Sequence, residues 1–289
     1  MSKAPQIREK IKSINKTRTI TKAMQMVATS KMRKARNNMM LARPYADKIR
    51  LVMSNLAQTS SIYKQNHSLL RNDNADGNIG VILITADKGL CGALNNNLIK
   101  RFIELKNSYS RANFSLSCVG QKAFNFAESS GYNIQAQVSD LGLKPDMSQV
   151  IAATNKMFSQ FRDKNLDKVF LIYAKFVNAM KQIAVCEQLF PLSKVIVENS
   201  EKQYSADYLY EPSIEEVLHN LAMRYIEFLV YQGIADTIAS EQAARMIAMK
   251  SATDNANVLI NDLNVEYNKS RQSAITQELA EIVSGAASV

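Results

Sequence analysis

The sequence predicts an α/β domain carried between two long terminal helices that pair as an antiparallel coiled coil. Three observations lead there. Residues 213–285 contain no proline and read as one continuous helix, on the order of 110 Å long at ~1.5 Å per residue. Both chain ends place their apolar and small residues at alternating spacings of four and three, the seam of a left-handed coiled coil. Between them, short β-branched runs alternate with helical stretches, which is how a sheet with a parallel portion is written.

The N-terminal helix is expected over residues 3–57. Its seam is Ile7, Ile11, Ile14, Arg18, Thr21, Gln25, Ala28, Met32, Ala35, Met39 and Ala42. A second apolar row, Ile20, Met24 and Val27, runs beside it. Arg18, Thr21 and Gln25 are polar residues in that seam, so two helices alone seal it poorly there. Either the seam is weak at that level or something else packs around it. Pro44 removes a helical N–H and is expected to kink or interrupt the helix near residues 42–45.

The middle of the chain changes period. Residues 79–85 form a buried strand, followed by a glycine-containing turn over 87–92 and a helix from 93 to 108. Strands are expected at 114–119 and 134–138, with helices at 121–130 and 149–161. Residues 168–176 and 180–189 read as two strands that can pair as a hairpin around Val177, Asn178 and Ala179. Segments 60–78 and 197–212 are polar and weakly patterned, and are expected to be loops. Ser213 and Glu216 form a capping-box signature at the start of the last helix. That helix carries the seam Ala235, Ala239, Gln242, Met246, Met249, Thr253, Ala256, Ile260, Leu263, Tyr267, Ser270 and Ala274. Small side chains dominate it, which permits close approach. The domain division is therefore 1–57, 58–212 and 213–289.

Charge supports pairing of the ends. Residues 1–50 hold 14 Lys/Arg against Glu9 and Asp47, a net of +12, whereas residues 213–289 hold five against ten, a net of −5. Individual exposed pairs contribute only ~0–1 kcal/mol. No 18 apolar residues run together, so no membrane span is expected, and the opening residues lack the apolar region of a secretory signal. Cys91, Cys118 and Cys186 are odd in number and widely spaced, as free thiols in a reducing compartment are. They have no metal-ligand spacing.

The turn at 85–95 lies between a strand and a helix, where α/β enzymes hold phosphates on helix N-terminal amides. Its spacing matches neither G-x-x-x-x-G-K-[ST] nor G-x-G-x-x-G, which favours a tight structural turn over a nucleotide site. Cys91 reads as a packed small hydrophobe. His67 and His219 have no recognisable partner. The basic N-terminal helix admits nucleic acid as a partner, but residues 1–44 contain no aromatic side chain for stacking, and a solvated or protein-facing surface is favoured. Met24, Met26, Met32, Met39 and Met40 suit core or adaptable contact. The small, apolar tail 280–289 reads as a frayed end or as a tip seated in a partner's apolar sleeve. No acid/base pair, triad or metal cluster emerges, so the chain is expected to be non-catalytic, without metal or cofactor. A basic coiled-coil scaffold binding nucleic acid, and a nucleotide-binding enzyme using Gly89 and Gly92, are the competing classes.

Four stretches decide among these. They are Ile20 to Ala28 with Ser30, Lys31, Met32 and Arg33; the turn from Asp87 to Asn95; Glu241 to Met246 with Met249 and Ala252 to Asn255; and Asn268, Arg271 and Gln272 followed by Ile275 to Glu278 and Gly285 to Ala287. In this order they resemble the gamma subunits of the bacterial F-type ATP synthase across almost the whole chain, apart from 60–78 and 197–206. Lys88 stands where the family usually has arginine. The resemblance implies an antiparallel coiled coil of the terminal helices plus a central Rossmann-like α/β domain. It implies a central rotor shaft, one copy per complex, coupling ion flow through the membrane c-ring to ATP synthesis or hydrolysis on the beta subunits. The implied partners are the alpha and beta subunit ring, the epsilon subunit and the c-ring, with no nucleic acid. The implied location is peripheral, on the cytoplasmic face of the bacterial inner membrane. By the same resemblance Arg245, Arg271, Gln272 and Thr276 contact the ring, Met24 with Lys22 faces the lower part of beta, and Tyr208 and Glu211 lie near the c-ring.

Overall fold

The computed structural model describes residues 4–59, 77–191 and 214–287. Its elements are α1 (Ala4–Thr59), β1 (Ile79–Ile84), α2 (Leu94–Ser108), β2 (Phe114–Val119), α3 (Gln121–Ser129), β3 (Asn133–Val138), α4 (Met147–Arg162), β4 (Lys168–Phe176), β5 (Gln182–Phe190) and α5 (Ile214–Ala287). The chain divides into two compact units, 1–29 with 245–289, and 30–244.

The larger unit is built on one five-stranded sheet in the order β3-β2-β1-β4-β5. The first four strands are parallel and β5 is antiparallel to β4. Central β1 is buried at all six positions, because helices cover both faces of a parallel sheet and its strands become continuous apolar runs. Ile79, Val81 and Leu83 point into one core with Leu98 and Phe102 of α2 and Ala123 and Ala127 of α3. Ile82 and Ile84 point into the other, with Val150, Ala153, Met157 and Phe161 of α4. Ala35 and Met39 of α1 and the stretch of α5 from Ala222 to Ala243 close that second core. Each fully buried large apolar side chain contributes ~1.5–3 kcal/mol, so the two cores dominate the stability of this unit.

The expected hairpin is present. Asn178 Oδ1 accepts from the N–H groups of Met180 and Lys181 at 2.9 and 2.8 Å, an Asx-type turn that reverses β4 into β5. Of the two outcomes expected at Pro44, interruption does not occur: α1 is helix from Ala4 through Thr59. Proline removes a single backbone hydrogen bond, and a helix of 56 residues absorbs a defect of about 3 kcal/mol.

The three cysteines are free thiols. Burial pushes the Cys118 thiol up from an ordinary value of 9.0 to about 12, and burial is likewise the main cause that raises Cys186 to about 11. In the unfolded chain these thiols ionise near 9.0. Their contribution to stability is therefore complete below that pH and lost as pH rises through 11 and 12. Iodoacetamide at pH 8 is expected to alkylate Cys118 at least a hundredfold more slowly in the folded chain than in the denatured one. Equal rates would contradict its burial.

Candidate partner-contact surface

The smaller unit is a helix pair. Along α1 the expected seam positions Ile7, Ile11, Ile14, Arg18, Thr21, Gln25 and Ala28 are all buried or half-buried, while most positions between them are exposed. Along α5 the same holds for Met246, Met249, Thr253, Ala256, Ile260, Leu263, Tyr267, Ser270 and Ala274. The four-three spacing has thus become burial, residue by residue. The direction is antiparallel: Thr21 Oγ1 meets Thr253 Oγ1 at 2.8 Å, and three residues earlier in α1, Arg18 Nη1 donates to Asn257 Oδ1 at 3.2 Å, four residues later in α5.

At that level the seam is polar, as the sequence indicated. Thr21 and Thr253 also reach their own helix carbonyls, Arg18 O at 3.0 Å and Met249 O at 2.8 Å. Two hydroxyl hydrogens face three acceptors, so the layer is hydrogen-bonded but not oily. A groove of about 680 Å³ opens beside it, lined by Arg18, Lys22, Met26, Lys250, Asp254 and others. Lys22 is exposed on this groove and Met24 is half-buried. In the second apolar row Ile20 and Val27 are more than half accessible while Met24 is half-buried, and Met26 beside them is also more than half accessible. Beyond Ala274 every α5 residue with a described side chain is exposed, including Ile275, Leu279, Ile282 and Val283.

The other expected contact residues fall on α5. Arg245 is half-buried, and Arg271, Gln272 and Thr276 are exposed. Thr276 Oγ1 donates to Gln272 O at 2.9 Å, so its side chain stays close to its own helix. Tyr208, Glu211, Ser213 and His67 lie outside the described residues.

The 85–95 turn is held by a carboxylate. Asp87 Oδ1 accepts from the N–H of Gln121, the first residue of α3, at 3.0 Å, and Oδ2 accepts from Asp140 N–H at 3.2 Å. Thr85 Oγ1 accepts from Ala123 N–H at 2.8 Å. Two amides at the start of α3 are thereby taken by side chains from the end of β1 and the turn that follows it. Asn95 ties the turn down, accepting from Ala86 N–H at 3.0 Å and donating to Cys91 Sγ at 3.3 Å. Sequence spacing favoured a structural turn but missed the role of Asp87, because its partners lie 34 and 53 residues away. Among the described residues there is no His/Cys/Asp/Glu group fit to hold a metal, and no helix is long and apolar enough to cross a membrane.

The sequence pattern of the family described as ATP synthase matches residues 3–289. The ATP synthase gamma chain of Dechloromonas aromatica is 45% identical, with all of both chains covered. Those of Haemophilus influenzae and Neisseria gonorrhoeae are likewise 45% identical over full length. Among solved structures, a chain from the central stalk and c-ring of the Tetrahymena thermophila mitochondrial ATP synthase shares 27% identity. That match covers 81% of this chain and 99% of the other at a TM-score of 0.61. A chain of the Euglena gracilis mitochondrial enzyme, at 19% identity, covers 99% of this chain and 94% of its own with a TM-score of 0.71, a likeness of fold.

Proposed function

Because the chain belongs to the ATP synthase gamma-chain family, we propose that it is the non-catalytic rotor shaft of its complex, with its terminal helices enclosed by a ring of alpha and beta subunits. One observation carries this reading. The helix-pair unit leaves Ile20, Met26, Val27, Val258, Leu259, Val265, Ile275, Leu279, Ile282 and Val283 exposed. A soluble monomer rarely leaves so much apolar surface bare on so small a unit, and such surface marks contact with other chains. The polar layer at Thr21 and Thr253 suits the same role, since the seam there is completed from outside.

Within the ring, Lys22 and Met24 face the lower part of beta. Arg245, Arg271, Gln272 and Thr276 make polar contacts higher up, and the exposed apolar tip sits in the upper sleeve. Tyr208 and Glu211 lie near the c-ring, and the α/β domain meets the epsilon subunit. The division of labour follows 1–57, 58–212 and 213–289. The chain is peripheral, on the cytoplasmic face of the inner membrane. Its surface differs from side to side, so three identical catalytic sites meet different contacts and acquire different ligand affinities. Differential contact is what allows one asymmetric part to bias three sites.

Arg245→Ala tests the contact set. A charged hydrogen bond contributes ~1.5–3 kcal/mol, so ATP-driven proton pumping by the reconstituted complex is expected to fall on the order of tenfold, with the helicity of the isolated chain unchanged. Unaltered coupling would count against the contact.

A further inference from the structure

In the larger unit, β4 outruns its neighbour in the sheet. On one side it pairs with β5 through Phe176, but on the other β1 pairs with it only as far as Ile172. Ala174 lies past that last pair, and its N–H and C=O have no β1 residue to meet. Buried backbone groups need partners, and α5 supplies both. Ala174 N–H donates to Thr237 Oγ1 at 3.1 Å, and Ser240 Oγ donates to Ala174 O at 3.0 Å. Thr237 Oγ1 gives its own hydrogen to Gly233 O at 2.8 Å. Ala174, Thr237 and Ser240 are exposed by only 1%, 2% and 0%, so water does not compete for these bonds.

Gly233, Thr237 and Ser240 follow one another at spacings of four and three, and so lie on one face of α5. Gly233 brings that face close to the sheet: a Cβ there would stand 3.3 Å from atoms of Ile84, Leu171 and Tyr173. Apolar contact of this kind is non-directional and offers little resistance to small turns of a helix about its axis. Hydrogen bonds are directional and weaken steeply as donor and acceptor turn apart. Two of them run from neighbouring turns of α5 to the donor and the acceptor of one β4 residue. Together they resist rotation of the helix in either sense and its sliding along the strand. From these bonds α5 continues as helix to Ala287.

We propose that Thr237 and Ser240 are positioning residues that lock α5 against rotation about its own axis at Ala174, so that torque on the α/β domain enters the long helix through these two hydroxyls. The proposal rests on the reading of this chain as a rotor shaft. Neither residue belongs to the contact set assigned above to the ring.

Single-molecule rotation of the assembled complex tests it, with the alpha and beta ring fixed to a surface and a bead on Glu128→Cys, an exposed position of α3. During the pauses of ATP-driven rotation, the angular variance of the bead reports how stiffly the domain is held to the helices. The double variant Thr237→Val with Ser240→Ala keeps side-chain shape but removes both directional bonds, and is expected to widen that variance about twofold. Thr237→Ser, which keeps the hydroxyl, is expected to show the width of the unaltered chain. Ser117→Ala separates this role from general stability. Its hydroxyl is buried and donates to Ala153 O at 3.0 Å, a bond from β2 to α4 that does not involve α5. It is expected to lower Tm as Ser240→Ala does and to leave the variance unchanged. If the double variant does not assemble, Thr237→Val alone is measured, and widening is still expected. Unchanged variance in a rotating variant overturns the proposal, as does equal widening by Ser117→Ala. A bead that never rotates on the unaltered complex, although that complex hydrolyses ATP, overturns the shaft reading itself and the proposal with it. Normal rotation with unchanged variance in the variants sinks the lock and leaves the shaft.

Discussion

Ala256→Pro is expected to abolish coupled ATP synthesis, whereas deleting the last few residues is expected to leave most of it. Ala256 is buried in the seam of the helix pair at 6% exposure, in the middle of a 74-residue helix. Proline there removes a backbone hydrogen bond and drives its ring into the preceding turn, costing about 3 kcal/mol or more. It also bends the helix at a point where α1 packs against it. The last residues lie beyond Ala274, where every described side chain is exposed, and removing a few leaves the buried seam positions whole. The comparison is made on membranes expressing each variant, with assembly read by ATPase co-purification and coupling by proton pumping. A loss of assembly as large for the deletion as for the proline would refute the continuous-helix argument.

Gly120→Ala is the second large effect, and it acts on the other unit. Gly120 precedes α3 with φ +95°, and a Cβ there would collide with the carbonyl oxygen of Thr85. The strand end and the helix start are held together at this point by Thr85 Oγ1 and the Asp87 carboxylate, so neither can retreat without breaking those bonds. Positive φ alone costs on the order of 1–3 kcal/mol, and the collision adds to it. A total of about 3 kcal/mol lowers Tm by roughly 6–12 °C for a unit of this size. Gly131→Ala is the control: its φ is +70° but nothing lies within 4 Å of the added carbon, and it is expected to cost only about 1 kcal/mol. Equal losses at the two positions would show that conformation, not close approach, sets the cost at Gly120.

The seam was legible because burial in a helix pair depends on spacing, and spacing is written directly in the chain. From Ile7 to Ala28 and from Met246 to Ala274, each seam position that alternation selected is protected. The strands were legible for a related reason. A parallel strand covered on both faces needs consecutive apolar residues, as in 79–84, and the expected and observed bounds agree to within two residues at each end. What sequence could not supply was non-local chemistry. Nothing near Asp87 reveals that its carboxylate will reach Gln121 and Asp140. Pro44 does not interrupt α1, because one lost hydrogen bond is small against the length of helix on either side of it. The proposed contact residues Arg271 and Gln272 rest on resemblance alone, since exposed polar residues on a helix look the same whether solvent or a partner faces them.

The most direct test of the shaft reading is to purify the tagged chain from its native membranes in mild detergent. The intact mass of what comes with it is then determined, with Mg-ATPase activity assayed before and after the chain is released. The reading predicts a complex of three alpha, three beta and one copy of this chain, with no activity in the released chain alone. A chain that purifies by itself, or with nucleic acid bound to its basic N-terminal helix, would contradict it.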